Sequence, residues 1–385
     1  LITPYTVAVP QTDIDDLKAR LARVRWANEL PDAGTAYGVD LASLKRLVAY
    51  WQDGYNWRDW EAKLNTYPQF TTTIDGETIH FLHVRSNAEN ALPLLVIHGW
   101  PRSVFDYLNV IDTLVDPRSN GEGQTQAFHL VIPSLPGFGF SGPTTQKGWG
   151  GIRMVHALIE LMRQLGYDRY GVHGSDWGAA LAPEVGRFDP EHVVGAHVTE
   201  VYAFPSDPSE IEALSEEEKR DWQSYLSWQE NQGAYLRVQS TAPQTVAHAL
   251  ADSPVGQLAW NYQNYGNYQE LEYYRNYGDG LSDDYVLTTA SLYWFTNTAA
   301  SSARLYYEHP HSHYYPTEPT IVPLGLANFA HDHHAIRPFA EAWHKNIVSW
   351  HVYDRGNHFA AQTVPDLLVN DMRTFFQRLH SQKAV

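Results

Sequence analysis

Near the middle of the chain stands Gly174-Ser175-Asp176-Trp177-Gly178, a carboxylate with glycine two residues away on each side. The apolar stretch Tyr170–Val172 leads into it and the helix-like AALAPEVGRF follows. Small residues at those offsets suit a sharp strand-to-helix turn, the nucleophile elbow, where flanking backbone segments crowd together. The elbow exposes its central side chain at a helix N-terminus. The next backbone N–H, that of Trp177, then faces developing negative charge. Serine is the commoner central residue; here Ser175 is one place out of register and is expected to point elsewhere. Asp176 is therefore the candidate nucleophile. Its carboxylate is already anionic, and an alkyl ester formed on it can be hydrolysed to regenerate the acid.

Three further positions complete a reaction centre. His98-Gly99-Trp100-Pro101 ends the apolar run Leu94–Ile97, where a turn can offer a second oxyanion N–H from Trp100, with Pro101 stiffening it. Asp354-Arg355-Gly356-Asn357-His358 follows the run Val348–Val352, and an elbow enzyme needs its His on such a late loop. Position alone singles out His358 among 19 histidines. Its acid partner is expected at Asp332, in NFAHDHH, with Glu200 at the end of VVGAHVTE as the alternative. His331, His333 and His334, and the HPHSH run from His309 to His313, lack a matching distant ligand set. They read as solvated loop histidines, and neither metal nor cofactor is expected.

The elements that must position these residues alternate between short apolar runs and amphipathic helical segments. Strands buried on both faces and joined by helical crossovers indicate α/β architecture with a mostly parallel sheet. Residues 1–70 read as a helical meander whose Trp and Tyr residues between Tyr50 and Tyr67 can clamp it to a larger body. A hairpin turning at Asp75-Gly76 opens a core spanning 71–201. Residues 202–318 break the strand–helix rhythm: they are helical, acidic at SEEEKRD and crowded with Tyr and Trp. An insertion there suits a cap, or lid, over a site, and 319–385 resume the core with a strand expected over Ile321–Leu324 and a helix over Pro365–Leu379.

Composition narrows the partners. The formal net charge of -17 disfavours nucleic acid and anionic membrane surfaces. No cysteine is present, which removes disulfides, thiolate metal sites and a thiol nucleophile. No run of about 18 apolar residues appears, and LITPYTVAVPQTD is not a signal peptide. The expectation is a soluble, cytoplasmic enzyme without a membrane partner; a homodimer is left open.

With those residues in hand, a resemblance becomes specific. HGWP, GSDWG, GNHFAA and the segment YLRVQSTAPQTVAHALADSPVG together resemble the microsomal-type epoxide hydrolases, over nearly the whole chain. The resemblance implies an α/β-hydrolase core with an N-terminal meander and a helical lid. The mammalian members carry a membrane anchor before the meander, and none is expected here. By the same resemblance the nucleophile matches Asp176, the base His358 and the acid, often Glu in the family, Asp332. Two lid tyrosines, Tyr235 in GAYLRVQ and Tyr306 in ARLYYEH, match the proton donors, with Tyr307 the competitor for the second. The implied reaction converts an apolar epoxide to a vicinal diol through a covalent ester and His-activated water, and the aromatic-rich lid suggests a bulky, aryl-bearing substrate. That is ether-bond hydrolysis, with the epoxide and water as the only partners. The residues that hold the rest of the substrate are not legible, nor is the choice between detoxification and secondary-metabolite biosynthesis. Two other readings share the elbow. A haloalkane dehalogenase also uses an Asp nucleophile and can bind halide through a Trp placed like Trp177, but needs no lid tyrosines. A non-catalytic binding protein on the same fold would need none of these groups.

Overall fold

The apolar runs read as buried strands do pair with one another. In the computed structural model, which describes residues 1–116, 118, 126–266, 280–311 and 316–381, they form one sheet ordered β1-β2-β3-β5-β4-β6-β7-β8-β9. The strands are β1 Thr3–Tyr5, β2 Gln69–Ile74, β3 Glu77–Val84, β4 Leu92–Ile97, β5 Phe128–Pro133, β6 Tyr170–Gly174, β7 Val193–Val198, β8 Leu324–Asn328 and β9 Ile347–Val352. β1 to β3 are antiparallel, β3 pairs antiparallel with β5, and β5 through β9 run parallel.

Alternation along the central strands explains their composition. Leu94 and Val96 enter one core cluster, with Phe375 and Phe376 of the last helix, Pro365–Ser381. Leu95 and Ile97 enter the other, with Leu158 of Gly151–Gln164 and Leu181 of Trp177–Phe188. Both faces are covered, so no polar alternation is tolerated.

The expected strand over Ile321–Leu324 begins three residues late. Pro323 has no N–H to give a central ladder and contributes only its carbonyl, 2.8 Å from the Ala196 N–H. Ile321 is exposed. The strand runs instead through Leu324–Asn328, every residue of it buried, and the loop beyond carries Asp332.

Between β7 and β8 the chain leaves the sheet. It forms helices at Pro208–Glu212, Glu216–Gln232, Ala234–Thr241, Pro243–Asp252, Pro254–Gly266, Asp283–Thr296 and Ala299–His311. Of the N-terminal helices Gln11–Leu21, Leu41–Asp53 and Trp57–Leu64, the last two and the turn between them hold this layer through aromatic residues. Trp51 Nε1 donates to Ser291 Oγ (2.9 Å), Tyr50 OH donates to Asp284 (2.6 Å), and Tyr55 OH bonds Thr288 Oγ1 (2.9 Å). The arm thus holds the Asp283–Thr296 helix of the inserted layer, while Tyr67 OH donates to Asp112 and Trp57 meets Phe105 edge-on. Among the described residues no helix is long and apolar enough to cross a membrane.

Candidate active site

Asp176 sits where β6 turns into the helix Trp177–Phe188, with φ 57° and ψ -124°. That conformation is strained for a residue with a Cβ and persists only when its surroundings hold it. The flanking glycines have a steric reason. A Cβ on Gly174 would lie 1.9 Å from the Gly178 carbonyl oxygen, and one on Gly178 would lie 2.0 Å from that of Ile97. The Asp176 N–H donates to Glu200 Oε2 at 2.9 Å, which pins the turn from the end of β7. Ser175 points away, its Oγ accepting from Arg102 Nη1 at 2.8 Å.

The carboxylate of Asp176 is gripped from two sides. Trp100 N–H donates to Oδ1 at 2.7 Å, and His358 Nε2 lies 3.0 Å from Oδ2. Trp177 is the first residue of the helix, where a backbone N–H has no acceptor within the helix. The turn before Trp100 must also be slim: a Cβ on Gly99 would stand 2.0 Å from Asp176 Oδ1.

On the far side of the imidazole the two acid candidates are both present. His358 Nδ1 lies 3.0 Å from each Asp332 oxygen and 3.1 Å from Glu200 Oε1. Both acid side chains are buried. Burial alone would lower the His358 pKa; Asp332, Glu200 and the hydrogen bond to Asp176 outweigh it and hold it well above the usual value. Burial, with the neighbouring Glu200 charge, pushes Asp332 up to about 7 against the pull of His358. Glu200 shifts the other way, below its ordinary range: its burial is overcome by His358, by Asp332 and by Arg102. Glu200 is therefore the ionised member of the pair across the neutral range, and Asp332 gives up its proton only near pH 7.

Above the carboxylate lies a cavity of about 270 Å³ lined by Asp176, His358 and aromatic side chains including Trp177, Phe204, Tyr225 and Trp228. Tyr235 and Tyr306 both line it. Tyr235 stacks on Trp100 (centroids 5.2 Å), and Tyr306 meets Trp177 edge-on (5.1 Å). Tyr306 is 5% exposed whereas Tyr307 is 38% exposed and outside the cavity, so the two neighbours occupy different surfaces. Burial above all raises the pKa of both cavity tyrosines, with the Asp176 charge adding to it, and their protons stay on at neutral pH. A larger hollow of about 880 Å³, between the first helix and the start of Pro254–Gly266, contains none of these groups.

Two histidines depart from the reading as solvated loop residues. His333 lies edge-on to Trp228 (4.4 Å) and His309, on the helix Ala299–His311, edge-on to Trp177 (5.2 Å); both line the cavity. Burial lowers His333 to about 4, so it is neutral. Aromatic partners on the lid and elbow draw these rings inward, and nothing local in the sequence marks them. His334 remains exposed, and His313 lies outside the described residues.

These features match known proteins. Residues 2–107 fit the model of the epoxide hydrolase N terminus, and residues 94–371 fit an alpha/beta hydrolase family model. Epoxide hydrolase 1 of Sus scrofa is 32% identical, the alignment covering 99% of this chain and 90% of that protein. A Stigmatella aurantiaca protein, provisionally named an epoxide hydrolase, is 41% identical over 99% of this chain and 86% of its own.

The chain belongs to the microsomal-type epoxide hydrolase family.

The solved structure of Aspergillus niger epoxide hydrolase superposes with a TM-score of 0.84 at 30% identity, covering 98% of this chain and 97% of that one. Within this epoxide hydrolase the sequence reading missed one charged group, Arg102. Its guanidinium is buried, donates to Ser175 Oγ and to the His358 carbonyl, and stands 3.5 Å from Asp106. It also lies over the Phe359 ring at 4.3 Å. Burial opposes its charge, but Asp106, Asp176 and Glu200 outweigh that and keep it protonated. The available signal was a charge inside HGWPRS, directly after the oxyanion turn.

Proposed function

We propose that this chain hydrolyses an apolar epoxide through a covalent ester on Asp176. Family membership makes it an epoxide hydrolase; the roles below are read from the geometry. The observation that carries them is the Asp176 carboxylate held between the Trp100 N–H and His358 Nε2, in a cavity shared with two protonated tyrosines.

Opening an epoxide leaves an alkoxide, a poor leaving group at neutral pH, so a proton must arrive as the C–O bond breaks. Asp176 Oδ2 attacks a ring carbon while the hydroxyls of Tyr235 and Tyr306 hydrogen-bond the ring oxygen and protonate it. The product is a hydroxyalkyl ester in which Oδ1 becomes the carbonyl oxygen. Esterification removes the Asp176 charge that helped hold the proton on His358, so its pKa falls and the neutral base becomes available. His358 Nε2 then takes a proton from water, which attacks the ester carbon. The tetrahedral oxyanion forms at Oδ1, where the N–H groups of Trp100 and Trp177 each contribute about 3 kcal/mol. On collapse the diol oxygen takes the proton of the new carboxylic acid, which restores the Asp176 carboxylate beside protonated His358. The proton that His358 released on esterification returns through solvent to the tyrosinate.

The walls limit the substrate. A volume of about 270 Å³ is at the small end for a ligand pocket, and its lining is mainly aromatic. Both favour a compact apolar epoxide, with a single aryl substituent stacking on Trp or Tyr. The family resemblance and the lid tyrosines favour epoxides over haloalkanes.

A single turnover in ¹⁸O-water tests the route. The diol should carry no label, because its new oxygen comes from Oδ2, and the label should appear in the Asp176 carboxylate. Labelled diol in the first turnover means direct attack by water and refutes the covalent step.

A further inference from the structure

We propose that Glu200 is a second positioning carboxylate for His358, acting alongside Asp332 rather than in its place. The inference rests on the reading of His358 as base. Two loops, one after β7 and one after β8, bring a carboxylate each to the same imidazole nitrogen. Nδ1 is 3.1 Å from Glu200 Oε1 and 3.0 Å from both Asp332 oxygens.

Glu200 is not placed there by chance packing. Its Oε2 accepts from the Asp176 N–H at 2.9 Å and from Thr199 Oγ1 at 2.7 Å, so the side chain is fixed. Its Oε1 stands 3.1 Å from His358 Nδ1, in ion-pair contact while the Nδ1 hydrogen bonds go to Asp332. One residue thereby couples the orientation of the base to the strained backbone of the nucleophile. Asp332 is held differently, its Oδ1 accepting from the N–H of the next residue, His333, at 2.7 Å.

The chemistry explains why two acids can share one partner. Like charges this close do not both ionise freely, so Glu200 stays ionised while Asp332 gives up its proton only near pH 7, and Arg102 supplies a further fixed positive charge nearby. When His358 becomes imidazolium during ester hydrolysis, either carboxylate can accept the Nδ1–H. The groups facing His358 are Asp332 beyond β8, Glu200 beyond β7, Asp176 at the elbow, Arg102 beyond β4, and His333 at the cavity wall. The two acids and Asp176 raise its pKa, while burial and Arg102 lower it. Removing either acid takes away one raising charge and moves the acid limb of the hydrolysis step to lower pH.

Four enzymes decide the matter: wild type, Asp332→Asn, Glu200→Gln and the double variant, each in single turnover with styrene oxide. Rapid quench and intact-mass analysis follow formation and loss of the ester on Asp176. Each single variant is expected to slow hydrolysis of the ester by about 10- to 100-fold and shift its acid limb downward. The double variant should fall on the order of 10⁴-fold, the scale for an imidazole with no orienting acid. Glu200→Gln keeps an oxygen for the Asp176 N–H. Glu200→Asp in the Asp332→Asn background restores a carboxylate and should recover rate over Glu200→Gln in that background. A double variant no slower than Asp332→Asn overturns the proposal. So does a Glu200→Gln enzyme whose two half-reactions fall equally with an unmoved pH limb, the mark of a role only in folding the elbow. If ester forms in every variant and these results follow, only the part assigned to Glu200 is wrong. If no ester forms even in the wild type, the covalent reading fails and the proposal falls with it.

Discussion

Replacing Arg102 by Met tests whether a buried cation organises the site, because Met keeps the apolar stem against Phe359 and removes only charge and donors. The guanidinium makes two hydrogen bonds, to Ser175 beside the nucleophile and to the carbonyl of His358. Bonds from a charged group contribute about 1.5–3 kcal/mol each, and breaking a buried ion pair costs about 3–5 kcal/mol. The Asp106 left behind limits the damage. Burial already pushes it up to about 6 against the pull of Arg102, and Tyr285 OH lies 2.6 Å from its Oδ1. Without the guanidinium it takes up a proton at neutral pH, so the lost stability should sit near the lower bound, about 3 kcal/mol. The midpoint of guanidinium denaturation measures this, and single turnover separates the half-reactions. Ester hydrolysis should slow more than ester formation, since the carbonyl that Arg102 holds belongs to the base. Arg102→Lys should recover little, because one ammonium cannot span Ser175 and His358 as the planar fork does. A Met variant within about 1 kcal/mol of wild type, with both half-reactions unchanged, refutes the reasoning.

Tyr306→Phe should slow ester formation by about 100-fold or more while leaving ester hydrolysis intact, whereas Tyr307→Phe should change neither. Quenching of Trp fluorescence can follow both, as Trp100 and Trp177 touch Tyr306, and an equal loss in the two variants contradicts the assignment. Global stability should fall as the pH drops from 7 to 5. Burial lowers His80 to about 3, and His98 and His344 to about 4, all far below the value near 6.5 in the unfolded chain. The unfolded chain therefore binds protons in this window that the folded one refuses. Stability is full above about pH 6.5 and is lost by about 2 kcal/mol per histidine at pH 5. Denaturation midpoints at the two pH values check the sign; a more stable protein at pH 5 reverses it.

Much of the candidate site was legible because it is local. An elbow needs slim neighbours at fixed offsets, and the carbonyls of Gly178 and Ile97, standing 1.9 and 2.0 Å from the Cβ positions Gly174 and Gly178 lack, are the reason. Trp100, Trp177 and His358 become candidates the same way, each at a set distance after a strand whose apolar run is plain in the sequence. Pro323 shows the limit of that method: the apolar run was visible, but which residues could enter a ladder depended on an absent N–H.

What the chain by itself determined is thus the nucleophile's turn, the order of the strands' loops and the residue types they carry. Tertiary structure decided what those loops share. Glu200 and Asp332 stand as alternatives in the sequence, yet folding brings both close to one nitrogen. Tyr306 and Tyr307 are neighbours, and only packing shows which one lines the cavity. Arg102 reaches the His358 carbonyl across 256 residues, and His358 reaches Asp176 across 182. Separations of that size leave no local spacing to read. A carboxylate's partner is set by which strand ends lie side by side in the parallel sheet, and that is a property of the fold rather than of any segment.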